Sequence, residues 1–435
     1  MEKIKQEAKC QPDIVIPSSI PLPGTTVTRT AAGPLIHAMF VPGEVVRVSV
    51  VFRAGTSMQS VPFSASATAN LLAEGSEGMS SKQISDTLDF YGSYYGVSVD
   101  RDWSVVTVCC LAKFFDQTME VLHKIVVRPA FPEEEVVTYC AKRKQALAID
   151  RSKPSQRARE LFTASLFGEE HPYGVGYDEA LYDDLRREQI VGFYDEYYTA
   201  GTCFAVCSGA VTEHHVGAVG ELLDALPRRP FVEPGPSLAA EGVRYAFSEQ
   251  RGALQSALRS GVVLFARNHP DFIPMQIVAT ALGGYFSSRL VRNLREVHGY
   301  TYGAYAAMVN LQHAGYLAIS TEVATEATDD ALHQIFSEID RLRQEKIPTA
   351  ELRTVKNIMA GEAMRIIDGP FGIADVTIEN IQNSMDNSYF DRFLDQVRSF
   401  TPGQLLDTAQ KYLDPRRFTT VSVGAHRPAM FREND

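Results

Sequence analysis

Gln189-Ile190-Val191-Gly192-Phe193-Tyr194-Asp195-Glu196-Tyr197 reads as an amphipathic helix, followed by a short loop and a β-rich run ending Gly209-Ala210. The arrangement returns as Gln404-Leu405-Leu406-Asp407-Thr408-Ala409-Gln410-Lys411-Tyr412, a short loop and a β-rich run ending Gly424-Ala425. The offset is 215 residues at Gln (404 minus 189), at Tyr (412 minus 197) and at Gly-Ala (424 minus 209). A shared offset of about half the chain marks an internal duplication.

The starts of the halves match more loosely. Val46 to Ala54 reads as a strand followed by a small-residue helix from Ser64. Gln255 to Phe265 reads as a strand followed by a helix from Phe272. The aromatic run Phe90 to Gly96 corresponds to Val297 to Gly303. The segment Pro227 to Gly242 is rich in Pro, Gly and charge, as a linker is. The expected division is 1–228, a linker at 229–242, and 243–435.

Within the first half, strands are expected near 26–30, 34–40, 46–53, 93–99, 103–111 and 203–209. Helices are expected near 64–74, 80–91, 114–127, 133–150, 155–166 and 187–198. Glu133-Glu134-Glu135 suits the positive end of a helix dipole. Strands followed by a block of helices predict an α+β class. The picture is two homologous domains, each a mostly antiparallel sheet with helices on one side, facing each other around a cavity.

At 435 residues the chain is too long for one compact core. Its 45% hydrophobic and 22% charged residues are those of an ordinary globular protein. A net charge of -11 argues against a general nucleic-acid binder, which needs a basic face. No apolar run reaches the ~18 residues of a spanning helix. Met1 to Pro17 has lysines but no apolar core of a signal peptide, so a cytoplasmic location is expected, or a periplasmic one if a leader precedes it. The six cysteines, Cys10, Cys109, Cys110, Cys140, Cys203 and Cys207, form no Cys-x-x-Cys pair and read as reduced thiols. Cys109 and Cys110 lie on one strand and should point to opposite faces.

Four segments, in this order and spacing, carry a resemblance. They are Phe131-Pro132-Glu133-Glu134-Glu135, Phe167-Gly168-Glu169-Glu170-His171-Pro172-Tyr173-Gly174, Phe193-Tyr194 with Tyr197-Tyr198-Thr199, and Leu294-Arg295-Glu296 to Tyr302. Together they resemble the pitrilysin/insulinase-type zinc metallopeptidases, in the short two-domain form of the processing peptidases, over nearly the whole chain.

The resemblance implies an inverted zinc motif, His-x-x-Glu-His, on the first domain's early helix. Those positions fall on Asn70, Ala73 and Glu74. The implied third ligand, a carboxylate on the long helix, falls near Gln145 or Ala146. An Asn amide is a poor zinc ligand, Ala offers no base, and one carboxylate cannot hold the metal. No metal and no cofactor is therefore expected on this chain. Glu213-His214-His215 has adjacent-residue spacing, wrong for one helical face, and reads as a helix cap or loop.

The second half is the reverse case. The resemblance implies that Arg295 holds a substrate main chain. It implies that the Tyr302 hydroxyl donates to the carbonyl oxygen as charge builds on it. Gly299 can end the helix carrying Arg295, with Tyr302 beginning the next strand. The strand bearing Tyr94, Tyr95 and Val97 is implied to be an edge that pairs with peptide by β-augmentation. These tyrosines, with Tyr91, read equally well as core. Leu282 to Leu290 reads as a turn between helices; its Gly-Gly lacks the Lys-Ser/Thr of a phosphate loop. Ile367 to Gly372 reads as an exposed loop and Trp103 as packing.

The expectation is the non-zinc subunit of a heterodimeric metallopeptidase, inert alone, whose homologous partner carries zinc and shares a site for peptide hydrolysis. A non-catalytic peptide-binding or assembly subunit is the alternative, and an inactive homodimer a weaker one.

Overall fold

A computed structural model of the chain describes residues 15–20, 22–231 and 243–432. Cys10 and most of the linker expected at 229–242 lie outside the described residues. The first half contributes strands β1 (Thr25–Arg29), β2 (Leu35–Phe40), β3 (Val45–Phe52), β4 (Tyr94–Val99), β5 (Ser104–Leu111) and β6 (Cys203–Gly209). Its longer helices are α1 (Ser64–Leu71), α2 (Ser81–Phe90), α3 (Phe115–Val127), α4 (Glu133–Arg151), α5 (Pro154–Phe167), α6 (Arg187–Tyr197) and α7 (Glu213–Asp224). The second half contributes β7 (Tyr245–Glu249), β8 (Gln255–Leu264), β9 (Ala304–Asn310), β10 (Gly315–Ala324) and β11 (Thr419–Gly424). Its longer helices are α8 (Phe272–Gly283), α9 (Thr328–Gln344), α10 (Thr349–Ile366), α11 (Gly369–Gln382), α12 (Tyr389–Ser399) and α13 (Pro402–Tyr412).

The six-stranded sheet runs β4-β5-β3-β6-β2-β1 and the five-stranded sheet β9-β10-β8-β11-β7. Read from its free edge, each begins with the same connectivity. Pairing is antiparallel except for β2 with β6 and β7 with β11. The class is α+β, as the order of elements predicts.

Alternation along the strands assigns the faces. On β3 and β5, Val46, Val48, Val50, Val106, Val108 and Cys110 point into one core with the helices of the first half. Their neighbours Arg47, Thr107 and Cys109 line a cavity on the opposite face. Cys109 and Cys110 thus diverge, and all five described cysteines are free thiols.

That second face is not covered by the first half's own helices. Helix α11, from the second half, lays Ile373, Ala374 and Ile378 against Met39, Val51, Phe204 and Val206. In return α5, from the first half, covers the second sheet. Phe162, Leu166 and Phe167 pack with Val421, and Ala158 with Ala257 and Val423. Gly261 on β8 makes this approach possible. A Cβ there would stand 2.8 Å from the Phe162 ring and 1.9 Å from the Leu317 carbonyl oxygen.

Polar bonds fix the exchange. Arg47 donates to the Phe371 carbonyl at 3.1 Å and pairs with Asp375. Asp102, 3% exposed, sits between the halves. It accepts from the Tyr173 hydroxyl at 2.8 Å, from Ser57 Oγ at 3.2 Å and from the Gln312 backbone N–H at 2.9 Å. The His-Pro-Tyr-Gly loop therefore fastens the first half to the β9–β10 hairpin of the second.

One segment differs from its sequence reading. Ile367 to Gly372 is not an exposed loop: only a two-residue break separates α10 from α11. Gly369, at φ +78°, makes the sharp turn, and Pro370 sits in the first helical turn where its missing N–H costs nothing. Glu213-His214-His215 opens α7, capped by Thr212, whose hydroxyl accepts from the His215 N–H. His214 pairs with Asp116, while His215 is buried against Phe115 with ring centroids 4.1 Å apart. Adjacent residues of a helix face different ways, so the two imidazoles do not converge.

Truncating Phe162 leaves a cavity under α5. Phe162→Ala should cost about 3–5 kcal/mol, read as a fall in the thermal midpoint of the full chain. An unchanged midpoint would show that the exchanged helix is dispensable.

Candidate functional site

Helix α1 is built of small residues, Ser64-Ala65-Ser66-Ala67-Thr68-Ala69, which lets it lie deep in the core. Asn70, at its exposed side, turns its amide back to the Ser66 carbonyl at 2.7 Å. Ala73 packs on the first core. The Glu74 carboxylate accepts from Ser81 Oγ at 2.6 Å. Gln145 on α4 is exposed, while Ala146 lines a cavity of about 230 Å³ with Ser66, Phe63, Arg143 and Tyr182. Tyr182 lies flat on Phe63, with ring centroids 3.8 Å apart.

These side chains do not fit a zinc ion. An inward-bonded amide, a methyl group and one engaged carboxylate leave fewer than three suitable donors. Among the described residues, no group of three His, Cys, Asp or Glu converges anywhere.

The edge strand β4 divides the residues expected to act together there. Tyr94, 63% exposed, lines a cavity of about 430 Å³ with Arg47, Gly96, Val97, Thr107 and Phe371. Its ring lies along its own strand, so a Cβ at Gly96 would stand 2.3 Å from its hydroxyl oxygen. Tyr95 turns to the helix-packed face, because neighbours on a strand alternate. Its hydroxyl is buried and has no hydrogen-bond partner among the described residues. Burial pushes its pKa well above the usual phenol range, and the Tyr198 hydroxyl and Glu74 add to the rise. Val97 packs against the core and also borders the cavity. Alternation therefore parts this run, Tyr94 toward the cavity at the sheet edge and Tyr95 toward the core.

In the second half the expected pair does come together. The chain passes from Arg289–Val291 into a π-helical turn, Arg292–Val297, and Gly299 at φ +68° ends it. Arg295 lies against two rings, 4.5 Å from the centroid of Phe286 and 5.0 Å from that of Tyr302. Such stacking uses the faces of the guanidinium and leaves its N–H edges for hydrogen bonds. No bond to those edges is formed among the described residues. Tyr302 is 89% exposed and precedes β9, which starts at Ala304, instead of beginning the strand.

A cavity of about 370 Å³ opens beside the pair, lined by Tyr302, Tyr305, Arg259, Ser320, Glu322 and Ser155. Phe286 and Arg259 were not singled out in the sequence. Phe286 lies in the segment read only as a turn. Arg259 carries a signal, since it is the one charged residue in the apolar run Gln255–Leu264.

A family profile described as the Peptidase M16 inactive domain matches residues 184–359, from just before α6 into α10. Sequence relatives include an uncharacterised zinc protease of Rickettsia felis, 20% identical over 65% of this chain and 68% of its own length. Another, from Mycobacterium leprae, is 25% identical over half of each protein. One from Streptomyces coelicolor is 21% identical over 81% of this chain and 78% of its own. The alignments thus span half to about two thirds of the first two relatives' length. Among solved structures, a peptidase M16 inactive domain from Pseudomonas fluorescens superposes with a TM-score of 0.86 at 21% identity, covering 93% of this chain and 99% of that one. A protease from Helicobacter pylori gives 0.82 at 16% identity, covering 93% and 100%. These likenesses agree with the pitrilysin-type resemblance and with its two-sheet fold.

The donor geometry gives a metal prediction. Incubated with zinc and passed through a desalting column, the full chain should retain far less than one ion per chain by elemental analysis. One tightly held equivalent would contradict the reading of Asn70, Ala73 and Glu74.

Proposed function

We propose that this pitrilysin/insulinase-type chain, which lacks the zinc motif expected of the family, is the non-zinc subunit of a heterodimeric peptidase. The match to an inactive M16 domain supports the coarser statement, a non-catalytic member of that family. The finer one rests on a single observation. Arg295 lies against Tyr302, which lines a cavity, with both side chains' donors unengaged among the described residues, in a chain whose zinc positions hold no ligand set.

The arrangement suits recognition of an extended peptide. Arg295, positioned by Phe286 and Tyr302, presents N–H donors to main-chain carbonyls. The Tyr302 hydroxyl, exposed and unengaged, can donate to a carbonyl oxygen that gains negative charge. A preorganised donor of this kind acts mainly on the transition state. Any metal chemistry in such a pair belongs to the partner subunit, a homologous chain with its own His-x-x-Glu-His. This chain contributes binding and orientation.

No described helix is long and apolar enough to cross a membrane, which fits a partner met on either side of one. A non-catalytic peptide-binding or assembly role uses the same rim without turnover. Chelator-sensitive hydrolysis by the native complex separates the two.

Purified from its native cells, the chain should bring down a stoichiometric partner carrying His-x-x-Glu-His. In that complex Tyr302→Phe should lower kcat by about 10²-fold. Arg295→Ala should raise KM by about tenfold, as expected for a lost charge-assisted bond. Unchanged turnover in both variants would sink the shared-site reading.

A further inference from the structure

The chain is acidic overall, with a net charge of -11, yet the cavity beside Arg295 and Tyr302 is basic. Arg259 lies on its floor. It pairs across the sheet with Ser320, which pairs with Tyr305, so the three form one row over β8, β10 and β9 on the cavity face. Ser155 of α5 lines the cavity wall, and Arg159 follows it one helical turn later on the same side.

Neither the Arg159 nor the Arg259 guanidinium forms an ion pair or hydrogen bond among the described residues. Their charges converge on the buried Tyr316. Burial raises the pKa of that phenol, and Arg259, Arg101 and Arg159 in turn pull it down. Arg259 itself is driven below its ordinary value, first by burial and then by Arg159. Glu322 also lines the cavity and offsets part of this charge, but it forms no ion pair with an arginine. Arg259 and Arg159 against the one carboxylate leave a net positive site with unused donors. A half-buried arginine without a partner, as Arg259 is, is costly, and an anion that accepts from it relieves the cost.

We propose that the cavity floored by Arg259 and walled by Arg159 takes a carboxylate of the bound peptide. The pocket would select acidic segments, or a free C-terminus, next to the main chain held at Arg295 and Tyr302. This deepens the peptide-binding reading and rests on it. The guanidinium fork matches a carboxylate in two-point contact, and Ser320 and Tyr305 add neutral donors on the same row.

The test uses the full chain and three fluorescein-labelled decapeptides of one neutral sequence. The first carries two internal Glu and an amidated terminus. The second has Gln at those positions and is amidated. The third is the Gln peptide with a free C-terminal carboxylate. Anisotropy titration should show at least one carboxylate peptide binding about tenfold tighter than the amidated Gln peptide. Salt should erode the difference. The Arg159→Gln variant, at an exposed helical position that does not endanger folding, should reduce the preference, and Arg159→Gln/Arg259→Gln should abolish it.

Equal affinity for all three peptides overturns the proposal and leaves the peptide-binding reading standing. Preference that survives in the double variant overturns the assignment to these arginines. Binding of none of the peptides overturns it too. Arg295→Ala separates the two ideas: it should weaken all three peptides alike. If it changes nothing while the carboxylate preference persists, the charge pocket stands and the main-chain clamp fails.

Discussion

A β-sheet has two faces, and in this chain each half carries helices for only one of them. The second face of each sheet is closed by a helix from the other half: α11 on β3 and β6, α5 on β8 and β11. Burying such a face is the dominant favourable term available to it, since apolar area removed from water is worth roughly 25 cal/mol per Å². Everything else depends on this reciprocity. It holds the free edges β4 and β9, with their cavities, beside the helix that came from the opposite half. It also explains why polar bonds such as Asp102 to Gln312 and Arg47 to Asp375 cluster where the exchange occurs.

Much of this was legible in the sequence because it is written in local periodicity. Val-rich alternation places β3 and β5, and the Pro-Glu-Glu-Glu start places α4. The 215-residue offset places α6 and β6 against α13 and β11. What could not be read is which half a helix serves. Phe162 and Leu166 mark a sticky face on α5, but nothing in their spacing says that Val421 lies under it. The Pro-Phe-Gly run at 370–372 carries turn residues, and only the sheet across from it makes it the first turn of a docked helix. Tyr94 and Tyr95 show the same limit at smaller scale. Alternation says they part, but not which one meets the core.

Of the candidate site, the missing zinc ligands were readable because metal chemistry demands particular side chains at fixed positions. The aromatic bracket around Arg295 was not, because Phe286 comes from a different turn nine residues earlier. The arginine cluster was hidden by a bulk property. Net charge sums over the surface, whereas a pocket feels only the few groups that face it. Arg159 and Arg259 come from a helix and a strand on either side of the chain's midpoint, and only folding brings them together.

The reciprocal exchange also constrains how the molecule comes into being on the ribosome. The first sheet is complete in sequence once β6 has emerged, at Gly209, but the helix that seals it ends at Gln382. At roughly 5–20 residues per second, synthesis of the intervening stretch takes on the order of 10–30 s. For that interval Val51, Phe204 and Val206 face water, and Phe162 and Leu166 wait longer still, for Val421 near the chain's end. Nascent chains therefore travel together with an open apolar surface, and a second chain on the same message carries the identical missing helix.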